Sequence, residues 1–96
     1  MRVTVEYLGY IKQTLSTGQS EIILLKDNAT VCDLLVILAE KHGDAFKKAV
    51  FDPKDAEMKP HHILAVNGLL TNQVNDLGAK LKDGDQVTVM PVVTGG

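Results

Sequence analysis

With 96 residues, 45% of them hydrophobic and 23% charged, the chain has the size and composition of one globular domain with a modest core. Its formal net charge of -2 gives no argument for nucleic acid or an anionic membrane surface as a partner, and no apolar run approaches the roughly 20 residues that span a bilayer. One cysteine and the absence of a secretory pattern after Met1 predict a cytoplasmic protein without an internal disulfide.

The first predicted elements are two strands. Val3, Val5 and Tyr7 alternate with polar residues, which predicts a strand over about residues 2–8. Residues 9–18 are predicted to form a connection. Residues 21–26 are rich in aliphatic side chains and predict a second strand, which would form a hairpin with the first.

A helix over about residues 31–42 is the clearest element of the pattern. Thr30 followed by Asp33 resembles a capping box, in which the hydroxyl accepts a free N–H and the carboxylate reaches back. Gly43 stands where a glycine would end the helix. Apolar residues follow one another at helical spacing, at Val31, Leu34, Leu35, Leu38 and Ala39.

The second half of the chain predicts shorter elements. Residues 44–51 favour a short second helix, residues 52–60 a polar loop, and residues 63–66 a third strand. Asn67-Gly68 is a strong hairpin signal because both residues can adopt positive φ, and residues 69–74 would return as a strand. The final strand begins after the turn at Gly84.

The element order is therefore β-β-α-β-β-β, an α+β pattern with a possible extra helix. One long helix covers one face of a sheet and leaves the other to solvent or a partner. Since crossovers are right-handed, the economical arrangement places the last strand in the middle of the sheet, parallel to the first. This is the ubiquitin-like β-grasp, a mixed sheet with one main helix packed across one face.

The end of the chain is predicted to be a thin arm. Pro91 cannot donate a ladder hydrogen bond, so the domain is predicted to span residues 1–91 and a flexible tail residues 92–96. Fully extended, that tail would reach about 16 Å. Gly95 and Gly96 lack a Cβ and would fit a channel too narrow for side chains. A frayed terminus explains the same residues without any function.

A terminal carboxylate is an anion and a poor electrophile at neutral pH. Conversion to an acyl-adenylate would supply a leaving group for attack by sulfur or nitrogen. The sequence contains no phosphate-binding glycine loop, so we expect no bound cofactor and no catalytic site of its own. A partner enzyme would then use the ATP, and Gly96 of this chain would be the reacting residue.

The segment LKDGDQVTVMPVVTGG, residues 81–96, resembles the C-terminal signature of the molybdopterin synthase small subunit and its sulfur-carrier relatives, and Val66-Asn67-Gly68 resembles their central hairpin. The resemblance implies that a ubiquitin-activating-like adenylyltransferase adenylates Gly96, which becomes a thiocarboxylate. Thr94, Gly95 and Gly96 would then thread into the molybdopterin synthase large subunit. The single Pro91 followed by valine, and the long polar segment before the third strand, depart from many relatives.

A docking surface is expected at the base of this arm. Strand parity places Leu8 and Met90 on the face away from the helix, and Leu70, just past the hairpin turn, is expected to join them. Scattered apolar surface residues are common and offer an alternative explanation. The family that the chain resembles uses an apolar patch on this face for its partners.

Several alternatives remain open from the sequence. The chain could be a ubiquitin-like modifier joined to lysines through Gly96, a carrier for tRNA thiolation or thiamine synthesis, or a passive interaction module. Cys32 lies in the first helical turn without an identifiable base, and is expected to pack as a small hydrophobe. His61 and His62 should point to opposite faces, so no metal site is predicted.

Overall fold

The computed structural model describes residues 1–15, 18–55, 57–59, 61–70 and 77–92, with only the backbone at residues 12, 14, 57, 58, 69 and 70. In chain order the elements are β1 (Arg2–Tyr7), α1 (Ile11–Thr14), β2 (Ser20–Leu24), α2 (Val31–His42), α3 (Asp44–Ala49), β3 (Phe51–Asp52), β4 (Glu57–Met58), β5 (His62–Val66), β6 (Leu69–Leu70) and β7 (Gln86–Pro91). Within the described ranges, no helix is long and apolar enough to cross a membrane.

The main sheet has five strands in the order β2-β1-β7-β5-β6. β7 lies in the middle, parallel to β1 and antiparallel to β5. The predicted topology is therefore confirmed. β7 is the last element of the described chain and also the central strand, so Val92, which follows it, lies at the middle of one end of the sheet.

Helix α2 is fixed at both ends by the residues that its sequence predicts. The Asp33 amide donates to the Thr30 hydroxyl, and the Thr30 amide donates to the Asp33 carboxylate at 2.9 Å, so the capping box is complete. Gly43 ends the helix with a φ of 73°. The predicted apolar stripe is buried throughout, and it packs on the sheet face formed by Val3, Val5, Tyr7, Val87 and Val89.

The segment predicted to be a loop contains more structure than its polar composition suggests. Residues 52–60 were expected to lack regular structure, but β3 and β4 pair there as a two-stranded hairpin, with Phe51 opposite Met58. Phe51 is fully buried, which fixes one strand against the core. The Lys59 amide donates to the Val50 carbonyl at 2.7 Å and closes the hairpin onto the end of α3. The short helix α3 itself was predicted.

The Asn67-Gly68 turn between β5 and β6 has the expected positive φ values, 53° and 84°. Asn67 also holds the start of β7, because its side-chain oxygen accepts from the Gln86 amide and its amide group donates to Asp85, both at 2.9 Å. Asp85 accepts in addition from the Lys82 amide at 2.8 Å. Asp85, beside Gly84, therefore serves the geometry of this turn.

Candidate tail root and docking face

The point where the chain leaves the sheet is held from both sides. On one side, the Leu8 amide donates to the Val89 carbonyl at 2.9 Å, which continues the pairing of β1 with β7. On the other, Pro91 lies opposite His62, and the Val92 amide donates to the His61 carbonyl at 2.9 Å. We call Gly9, His61, His62, Pro91 and Val92 the tail root.

Regular pairing of β7 ends at Pro91, as predicted from its missing N–H. The ladder nevertheless gains one more backbone hydrogen bond at Val92, the first residue of the predicted tail. Thr94, Gly95 and Gly96, the predicted threading residues, lie outside the residues that the structure describes. Their role therefore stays a prediction.

The open face of the sheet carries an apolar cluster next to the tail root. Leu8, 37% exposed, follows β1 in register with Met90 of β7, which is half-buried. Ile63 of β5 lies directly opposite Met90 and is also half-buried. We call Leu8, Ile63 and Met90 the docking cluster. The structure thus brings together two of the three residues predicted for docking.

Leu70, the third residue predicted for docking, occupies a register position opposite Ala65 on β6. Ala65 lies opposite Thr88, one row further along the same face from Met90. Leu70 thus lies at a register position beside Ala65, on the far side of β5 from β7. Its partner-binding role stays a prediction.

Sequence reasoning missed Ile63 because it assigned the third strand without assigning its faces. The signal was present in the alternation of β5, where Leu64 belongs to the core and Val66 packs against it. The intervening residues Ile63 and Ala65 must then face the open side, since side chains alternate along a strand.

Two further apolar residues on the open face were also missed. Ile22 and Leu24 of edge strand β2 are 58% and 72% exposed. They lie opposite Thr4 and Arg2, at the end of the sheet face away from Met90. They form no part of the docking cluster, and they provide matched positions for testing it.

A polar cluster joins β1, β2 and the end of α2 on the helix side of the sheet. Glu21 accepts from the Tyr7 hydroxyl at 2.5 Å, lies 2.7 Å from Nε2 of His42, and is paired with Lys41. Burial alone would raise the pKa of Glu21, but hydrogen bonds from Lys41, Tyr7 and His42 outweigh it and lower that pKa. Burial, followed by the bond to Glu21, raises the pKa of Tyr7. This arrangement ties the sheet edge to the helix and contacts no residue of the tail root.

His62 is the one titratable side chain of the tail root that lies in the interior, 3% exposed, whereas His61 is exposed, as strand parity predicts. Its Nδ1 lies 2.8 Å from the Ala49 carbonyl, so Nδ1 carries the proton. Nε2 has no hydrogen-bond partner, and the Tyr10 ring lies edge-on with its centroid 5.4 Å away. Burial lowers the pKa of His62.

The residues considered for other chemistry stay separate. Cys32 is a free, half-buried thiol whose side chain packs against the core. Across the described part of the chain, no group of three or more histidine, cysteine or acidic residues could hold a metal ion.

The topology, with a parallel pair of central strands and one main helix on one face, defines a ubiquitin-like β-grasp protein. A model of the ThiS family matches residues 5–96. The chain therefore belongs to the ThiS family and is a ubiquitin-like sulfur carrier of that family.

Two relatives match most of the chain. A protein of Haloferax volcanii named "Small archaeal modifier protein 3" is 34% identical over 80 residues, covering 82% of this chain and 84% of the relative. A protein of Archaeoglobus fulgidus named "Putative sulfur carrier protein" is 26% identical over 86 residues, covering 90% of this chain and 96% of the relative. Both matches thus extend over nearly the whole of each protein.

Two solved structures bear on the partner. One is described as a "Putative molybdopterin converting factor, subunit 1" from Pyrococcus furiosus, with a TM-score of 0.71 and 31% identity, covering 97% of this chain and 99% of that chain. The other is the complex of subunits 1 and 2 of the molybdopterin-converting factor from Helicobacter pylori, with a TM-score of 0.64 and 26% identity over the whole of both chains.

Proposed function

We propose that this sulfur carrier serves molybdopterin synthesis as the small subunit of molybdopterin synthase. Its C-terminal residue, Gly96, would be adenylated, converted to a thiocarboxylate, and presented to the large subunit. The observation that carries the proposal is the docking cluster, an apolar group at the end of β7, the strand that leads to Gly95 and Gly96.

The geometry supports a division of labour between body and tail. Leu8, Ile63 and Met90 offer apolar surface that a partner can cover, which supplies most of the free energy of association at protein interfaces. β7 then directs the following residues away from the same sheet edge. A partner seated on the docking cluster would therefore receive the tail at a defined point.

The proposed chemistry takes place at the terminal carboxylate. A carboxylate oxygen attacks the α-phosphorus of ATP, and pyrophosphate leaves. Hydrosulfide then attacks the acyl carbon, AMP leaves, and the terminus carries sulfur in place of one oxygen. Both steps need a nucleotide site and would occur in the activating partner, so this chain is the substrate of the first enzyme and the sulfur donor in the second.

The relatives favour two partners of different kinds. The Helicobacter pylori structure holds a similar chain with a second subunit of a molybdopterin-converting factor, which supports a large-subunit partner here. We propose in addition a ubiquitin-activating-like adenylyltransferase, since the terminal acyl group must be activated before sulfur can enter.

A second candidate function is the covalent modification of other proteins by this chain. Of the two relatives, the one with the higher identity is named a small archaeal modifier protein. In that case Gly96 would form an isopeptide bond with a lysine. The two functions share the adenylate and differ in the nucleophile that follows.

An intact-mass experiment separates the candidates. The protein is incubated with ATP, sulfide and the adenylyltransferase of its own organism, and the loaded protein is then mixed with the large subunit and a pterin precursor. Gain of one sulfur for one oxygen, followed by loss of that sulfur to the pterin, supports the proposal. Loading without transfer to the pterin, or conjugates on lysines, would reject the molybdopterin role.

A further inference from the structure

Gly9 and Pro91 approach more closely than any residue with a side chain would allow. A Cβ built on Gly9 would lie 2.9 Å from Cγ of Pro91 and 3.1 Å from its Cδ. Gly9 also has a φ of 74°, a conformation that favours glycine. The ring of Pro91 therefore rests against the bare backbone just after β1.

The opposite side of the tail root is equally restrained. Pro91 pairs with His62, whose imidazole is buried and bonded to the Ala49 carbonyl, and the Val92 amide bonds to the His61 carbonyl. Pro91 itself has a fixed φ. Two neighbouring strands and one rigid ring thus determine the direction of the chain at Val92.

We infer that Gly9 is a positioning residue for the terminal reaction: by letting Pro91 close against β1, it sets the direction in which the tail leaves the body. This inference rests on the proposed activation of Gly96, but its structural part can be measured without any partner.

The direction of the chain at Val92 matters because a reaction tolerates only a small displacement of the reacting atoms, and the tail is many times longer than that displacement. Four residues beyond Val92 span at most about 13 Å. When the partner's channel holds the tail extended, a rotation of about 10° at Val92 would move its far end by about 2 Å. Misplacement of reacting atoms by about 1 Å can cost about 100-fold in rate. The tail root is therefore the place where a small change in the body has its largest effect on the terminus.

Gly43 provides a matched control for Gly9. Its φ is 73°, so alanine would also be strained there, but a Cβ meets nothing within 4 Å. Gly43 lies between α2 and α3, away from the tail root. Gly9→Ala and Gly43→Ala thus both place alanine at a positive φ, and only the first pushes on Pro91.

Amide hydrogen exchange tests the structural part. The exchange rate of the Val92 amide, divided by that of Leu35 in the core helix of the same protein, should rise at least about tenfold in Gly9→Ala and stay within about twofold in Gly43→Ala. An unchanged ratio in Gly9→Ala would overturn the inference. If Gly9→Ala does not fold, Pro91→Ala, which removes the ring without straining Gly9, must show the same rise.

Steady-state adenylation by the organism's own adenylyltransferase tests the functional part. Gly9→Ala should lower kcat by about 10- to 100-fold with KM within about twofold, because the change misdirects the terminus without removing any side chain of the docking cluster. Equal loss in Gly43→Ala, or a change confined to KM, would overturn the positioning role. Failure of the wild-type chain to be adenylated would instead reject the proposed function, and the exchange result would still stand.

Discussion

The Tyr7 hydroxyl donates to the Glu21 carboxylate across 2.5 Å and so joins β1 to the edge strand β2. Lys41 and His42 from the end of α2 contact the same carboxylate. Because the folded state holds the Glu21 pKa below its ordinary value, ionised Glu21 stabilises the fold. The stabilisation is complete above the unfolded pKa of about 4.3 and is lost as pH falls through the lower folded pKa.

Glu21→Gln should therefore lower the free energy of unfolding at pH 7 by about 1–3 kcal/mol, since it weakens bonds that involve a charged acceptor. It should also reduce the loss of stability between about pH 4.3 and pH 2. Urea unfolding at several pH values measures both effects. Glu40→Gln, at an exposed position of α2, is the control and should follow the wild type. If Glu21→Gln loses as much stability on acidification as the wild type does, Glu21 is not the group responsible.

His62 contributes a pH dependence in a different range. Its protonated form would place an N–H at Nε2, where the structure offers no acceptor. Burial lowers the pKa of His62 in the folded state, so the unfolded chain binds more protons. Stability should fall as pH drops from about 6.5, the unfolded value, toward the lower folded pKa.

His62→Asn tests this expectation because its amide can still donate to the Ala49 carbonyl while the titrating ring is gone. Thermal unfolding between pH 7.5 and 5 (a range of about one unit or more on either side of the ordinary histidine pKa) should show a flatter profile than in the wild type. The control is His61→Asn, which leaves the buried ring of His62 in place and should keep the slope. If the dependence of thermal stability on pH persists in His62→Asn, other titrating groups cause it.

Local sequence rules predict much of the fold but only part of the candidate site. The capping box at Thr30, the turn at Asn67 and the central parallel β7 each depend on neighbouring residues or on element order, and all were predictable. The bond between Tyr7 and Glu21 and the place of Ile63 depend on which residues of distant segments meet. A periodic pattern assigns a residue to a face, but the register between strands decides its neighbours.

Met90→Glu should weaken association with the large subunit by about 10- to 100-fold, because it places a charge in the apolar docking cluster. Ile63→Glu should act in the same direction, since Ile63 lies directly opposite. Isothermal titration with the large subunit measures both dissociation constants, and thermal unfolding confirms that each variant is folded.

Leu24→Glu is the matched control, because it makes the same kind of change on the same sheet face at an exposed position of β2. Its dissociation constant should stay within about twofold of the wild type, in keeping with the small effect of most residues outside a hot spot. If Leu24→Glu weakens binding as much as Met90→Glu, the partner covers the other end of the face and the docking cluster is wrongly placed.

Deletion of Gly96 should abolish sulfur loading while leaving the free energy of unfolding within about 0.5 kcal/mol of the wild type, as for changes away from packed groups. The reason is that the new terminal carboxylate, on Gly95, would stop about 3.3 Å short of the activating site, whereas the last described core residue of the chain is Val89. Intact mass after incubation with ATP, sulfide and the adenylyltransferase measures loading, and urea unfolding measures stability. Cys32→Ser is the control and should load fully, because the sulfur is expected on the terminus and not on the thiol. Loading that survives on the new Gly95 terminus would show that Gly96 is not required, and loss of loading in Cys32→Ser would move the carrier atom to the thiol.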